Sequence, residues 1–76
     1  MAAEICFRYS APSVAFDVVD ELRRLHPVAP QARTGADTSI VHVPAVLWER
    51  ALVPEVALGL GGRFTTCPGS EPDIDE

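Results

Sequence analysis

Residues 12–26, PSVAFDVVDELRRLH, decide the fold, because theirs is the clearest periodicity in the chain. Ala15, Val18, Val19, Leu22 and Leu25 recur at spacings of three and four, while Asp17, Asp20, Glu21, Arg23 and Arg24 fill the opposite side. At 3.6 residues per turn this is an amphipathic helix, and the rest of the chain must cover its apolar stripe. Ser10 or Ser13 is expected to cap the start, Pro12 suits a first turn, and acids ahead of arginines match the helix macrodipole. Pro27 stops the helix, with His26 as a cation or cap at its end.

On the N-terminal side, residues 4–9, EICFRY, alternate Ile5, Phe7 and Tyr9 with Glu4, Cys6 and Arg8, the period of a strand with one face in a core. Beyond the helix, residues 28–33, VAPQAR, form a weaker strand that Pro30 limits to an edge. The turn chemistry of residues 34–37, TGAD, then leads into the β-branched run 38–43, TSIVHV, making a hairpin. Pro44 opens a second helix, AVLWERAL, which Pro54 interrupts before residues 55–58. Gly59, Gly61 and Gly62 end it, and residues 63–67, RFTTC, give a last short strand.

The order β-α-β-β-α-β, with right-handed crossovers, predicts an α+β, two-layer, ferredoxin-like sandwich: a four-stranded antiparallel sheet in the order 4-1-3-2 with two helices on one face. The alternative omits the second strand and leaves a three-stranded sheet. Residues 1–68 form a single domain and residues 69–76 an acidic, disordered tail. At 76 residues the core is near the lower limit of what folds without staples.

Charge and composition exclude several classes. Of eleven acids, Glu71, Asp73, Asp75 and Glu76 lie in the last six residues, and the remaining seven face six arginines, so the body is nearly neutral while the tail can engage a basic surface. No apolar run approaches a membrane span, and the start carries Glu4 where a leader would carry basic residues, which places the chain in the cytoplasm with Cys6 and Cys67 reduced.

Alternation sends Ile5, Phe7, Tyr9, Val41, Val43, Phe64 and Thr66 toward the helices and Glu4, Cys6, Arg8, Ile40, His42, Arg63, Thr65 and Cys67 away from them. RNA or DNA binding is disfavoured, because the strand aromatics point inward and an acidic chain repels phosphate. Catalysis is disfavoured too: no nucleophile elbow, P-loop or dinucleotide fingerprint stands between a strand and a helix, and GLGG follows a helix instead of opening one. No cofactor is expected. Cys6, His42 and Cys67 share the outward parity of three neighbouring strands, a weak metal or thiol alternative that lacks paired-ligand spacing and a fourth ligand.

An interaction surface remains. The second helix is apolar nearly all round, and Trp48, Arg50, Ile40, Arg8 and Arg63 are the hot-spot candidates, with Glu71, Asp73, Asp75 and Glu76 steering the encounter. The reading is therefore a small acidic, non-catalytic protein-binding module, an inhibitor or regulatory subunit that occludes a larger protein with a basic surface. Antitoxins and phage anti-CRISPR proteins share its size and charge, but no motif assigns it to them. The proline-limited second strand offers a partner an edge for strand addition. A small-ligand binding role for the open sheet is a further alternative, and a homodimer through that sheet would cover Ile40.

Overall fold

The computed structural model describes residues 3–67. In order these form β1 (Glu4–Arg8), α1 (Pro12–Leu25), β2 (Arg33–Thr34), β3 (Ile40–Pro44), α2 (Ala45–Trp48), α3 (Val53–Gly59) and β4 (Arg63–Thr65). The result is an α+β fold with one four-stranded antiparallel sheet, ordered β2-β3-β1-β4, and three helices. Counted from the β4 edge this reads 4-1-3-2. The expected tail, with Glu71, Asp73, Asp75 and Glu76, lies outside the described residues.

Helix α1 buries Ala15, Val18, Val19 and Leu22, four of the five stripe residues. Neither Ser10 nor Ser13 caps it. The N-cap is Ala11, whose carbonyl accepts the N–H groups of Val14 and Ala15, and Pro12 removes one donor that would otherwise need a partner. No acid stands in the first turn, so the macrodipole is matched only by Arg23 and Arg24 in the last. The Glu21 and Arg24 side chains are ion-paired one turn apart.

Several elements are shorter than the sequence suggests: β1 ends at Arg8, β3 begins at Ile40 and β4 ends at Thr65, and prolines reshape two more. The second strand is confined to Arg33–Thr34 instead of residues 28–33, because Pro27 and Pro30 deprive the preceding segment of ladder donors. The second helix is broken in two, as Pro54 requires, but the break comes before the proline: α2 ends at Trp48 and α3 begins at Val53. A continuous helix would set the Pro54 ring against the Arg50 carbonyl. Instead that carbonyl accepts the Val53 N–H, Leu52 takes φ = 70°, and Pro54 falls in the first turn of α3.

All three helices pack on one sheet face. Phe7, Tyr9, Val41 and Val43 meet the α1 stripe, Leu47 of α2, and Val53 and Ala57 of α3, with Ala32 from the connection. Phe7↔Val41 and Cys6↔His42 are cross-strand partners in the β1–β3 register. The alternation in β1 therefore runs as the sequence implies, with the aromatic rings under the helices and Cys6 beneath the open face. The Tyr9 hydroxyl donates to the Ala57 carbonyl at 2.9 Å, and burial pushes its pKa up to about 12.

Candidate functional site

The open sheet face exposes Arg8 and Arg63 but buries Cys6, Ile40 and His42, which alternation also places there. Cys6 and Cys67 are joined as a disulfide, where a reduced pair is expected from the sequence. The register explains the pairing: Cys6 lies opposite Thr65, and two residues further along the same parity brings Cys67 alongside β1, with its sulfur 3.8 Å from the Glu4 carbonyl oxygen. For a chain with so small a core, this staple closes a loop 61 residues apart in sequence.

His42 completes the cluster from β3. It is 6% exposed, and its Nδ1 lies 3.3 Å from Cys6 Sγ and 3.2 Å from Glu4 Oε1. Both neighbours are acceptors, since a disulfide sulfur carries no hydrogen, so Nδ1 is the protonated nitrogen and donates. Glu4 is held in turn by Arg33 of β2, at 2.9 Å. Gly35 covers the other side of the ring; a Cβ there would stand 3.1 Å from Nε2. The chain of contacts is thus Arg33 to Glu4 to His42 to the Cys6–Cys67 pair.

Ile40, a candidate contact residue, is only 1% exposed. The connection between β2 and β3 folds back over this end of the sheet: the Ile40 N–H bonds the Asp37 carbonyl, and Asp37 Oδ2 lies 3.5 Å from Arg8, the cross-strand neighbour of Ile40. The wet apolar residue that argues for a homodimer is therefore not present. The Ser39 hydroxyl and N–H, followed by Arg8, hold the Asp37 carboxyl below its ordinary value. Arg8 and Arg63 are exposed cross-strand neighbours, and Arg50 is half-buried in the turn between α2 and α3.

Exposed apolar residues are spread over the helices and loops, Val28, Val46 and Leu52 among them, and an exposed aromatic ring lies on the helix side of the β4 edge. Phe64 shares the inward parity of Phe7 and packs against it in a tilted arrangement with ring centroids 4.7 Å apart, yet it remains 65% exposed because β4 is the outermost strand. Trp48, half-buried, completes the trio at 5.1 Å from Phe7 and 6.1 Å from Phe64. Reading the sequence places Phe64 inside and so misses it. Its position one residue from Arg63 in the last, edge strand was the available signal.

A third feature is a groove between α1 and α3, about 550 Å³, lined by Val56 and Leu60 and by the acids Asp17, Asp20, Glu21 and Glu55 with Arg24 as the cation among them. No helix among the described residues is long and apolar enough to cross a membrane. Comparison of the chain with protein-family models, curated proteins and solved structures finds no match.

Proposed function

We propose that this chain is a non-catalytic protein-binding module that grips a larger partner through the aromatic edge of Trp48 and Phe64 and acts by occlusion, as an inhibitor or regulatory subunit. One observation carries the reading: a phenylalanine ring two-thirds exposed, braced from behind by a buried ring and a tryptophan. A braced ring loses little side-chain freedom on binding, which is what makes such residues binding anchors. Arg63 flanks it on the same strand. The groove of four carboxylates between α1 and α3 favours a partner with a basic surface and would speed encounter with it in a salt-dependent manner.

The βαββαβ order, with its helices on one face, supports a ferredoxin-like architecture for this module. Strand addition is the less favoured docking mode, since β2 supplies a ladder of two residues and β4 one of three. We place the module in the cytoplasm, where the Cys6–Cys67 pair would pass between thiol and disulfide instead of remaining permanently oxidised.

The test is affinity capture from lysate of the source cells, with the natural chain and with Phe64→Ser. One stoichiometric protein retained by the first, lost by the second and weakened by added salt is the expected outcome, with the melting temperature of the variant within a few degrees. Equal recovery by both chains, or recovery of nothing, overturns the reading.

A further inference from the structure

We propose that Cys6, Cys67 and His42 form a redox-gated metal centre: when the disulfide is reduced, the two sulfurs and the imidazole take one thiophilic divalent cation of the zinc class, and oxidation expels it. The donor atoms of the three residues all lie within 4.8 Å of one another. A tetrahedral zinc ion needs bonds of about 2.3 Å to sulfur and about 2.0–2.1 Å to nitrogen, so the donors need only part at the S–S bond and close elsewhere by about an ångström. Two thiolates and an imidazole select zinc over the oxygen-seeking cations.

The surroundings of the disulfide support this more than they support a plain staple. A covalent cross-link requires no imidazole beside it, yet His42 is buried with Nδ1 aimed at Cys6 Sγ. The Glu4 carboxylate, 3.2 Å from that nitrogen and fixed by Arg33, lies outside the three-donor group and is the nearest carboxylate able to swing in as a fourth ligand. Gly35 closes the remaining side of the ring. Together these supply the buried donors and the outer contacts that orient them, as metal centres require.

The chemistry balances with a dithiol as reductant. The half-buried Cys67 sulfur is the accessible one, whereas Cys6 is 1% exposed. A dithiol thiolate attacks Cys67, the S–S bond breaks, and Cys6 leaves as a thiolate accepting the Nδ1–H bond of His42. The second thiol of the reductant then displaces Cys67, so the dithiol is oxidised to its own disulfide and both cysteines end as thiols. Binding of the cation releases their two protons, and the imidazole proton moves from Nδ1 to Nε2 so that the Nδ1 lone pair, which faces the sulfurs, is free to ligate. In reverse, hydrogen peroxide takes two electrons from the bound thiolates, the S–S bond forms, the cation departs, and two protons convert the peroxide to two waters.

The experiment uses the full chain, without a histidine tag, reduced by a phosphine under anaerobic conditions and titrated with Co²⁺. The expected result is one Co²⁺ per chain, with a thiolate-to-cobalt charge-transfer band and the intense visible bands of a tetrahedral site, displaced by Zn²⁺ and absent from the oxidised chain. Cys67→Ser abolishes the band, His42→Ala shifts the visible bands, and Glu4→Gln weakens affinity by roughly 10–100-fold. Peroxide then releases one zinc per chain to a colorimetric chelator. A reduced chain that keeps its far-ultraviolet circular dichroism but gives no charge-transfer band overturns the proposal, as do cobalt bands indifferent to His42→Ala. If reduction unfolds the chain, refolding on addition of Zn²⁺ supports the centre, and failure to refold overturns it.

Discussion

Gly62 stands against Tyr9: a Cβ built on Gly62 would fall 2.7 Å from the tyrosine hydroxyl oxygen and 2.6 Å from the Ala57 carbonyl to which that hydroxyl donates. The α3-to-β4 turn can pass only because this position has no side chain, and the turn sets the height at which β4 joins the sheet. Gly62→Ala is therefore expected to cost about 1–3 kcal/mol by overpacking, read as a lower denaturant midpoint with an unchanged slope. An unchanged midpoint would mean the turn has slack that the structure does not show.

The same tyrosine predicts an alkaline limit. Burial raises its pKa to about 12 from an ordinary value of about 10, so the folded state favours the protonated phenol. That contribution is complete below pH about 10 and is lost as pH rises through about 12. Tyr9→Phe flattens the loss over this window. Its direct cost should sit near the low end of about 0.5–1.5 kcal/mol, because the Gly62 N–H also reaches the Ala57 carbonyl, at 3.3 Å. Urea denaturation at pH 9, 10 and 11 separates the two chains.

Removing the staple is expected to lower stability substantially. A loop closed across 61 positions corresponds to an entropic limit of about 4 kcal/mol, with about 2–4 kcal/mol typical of measured cases. The midpoint of the natural chain with and without a phosphine, and that of Cys67→Ser under both conditions, gives the value. Cys67→Ser must be insensitive to the phosphine for the comparison to report the disulfide alone.

Leu22, fully buried at the centre of the α1 stripe, should cost about 2–5 kcal/mol on truncation to alanine. For a domain of this size that is a fall in melting temperature of about 8–40 °C. Phe16, on the exposed side of the same helix, provides the control: Phe16→Ala should move the melting temperature by only a few degrees.

Acidification probes the clip over Ile40. The Asp37 carboxyl is held below its ordinary value by Ser39 and then Arg8, so its ionised form favours the folded loop above the ordinary carboxylate range, and that preference disappears as pH falls through its lowered value. Asp37→Asn should raise amide exchange in the 35–39 segment without altering the rest of the sheet. Exchange that is the same in both chains would leave the burial of Ile40 without this cause.

How far residues alone led can be judged from a few of them. Val18 and Phe7 were legible, because helical and strand periods fix which side of an element faces a core whatever covers it. The helix break at Leu52 was misplaced by two residues, since the sequence shows that Pro54 forbids a continuous helix but not how the chain relieves the conflict. His42 was legible as outward but not as buried. Its cover comes from Gly35, Glu4 and the sulfur pair, three separate segments whose meeting is a property of the assembled sheet. The disulfide escapes the sequence for a different reason: an expected compartment predicts reduced thiols, while strand register sets the pairing.

Both outer strands are stubs, two residues in β2 and three in β4. A sheet grows into fibrils by templating new strands on unpaired amides at its rim, and a rim this brief offers a passing chain almost no foothold. The domain can thus leave an aromatic ring in solvent while denying neighbouring copies the backbone purchase from which aggregation starts.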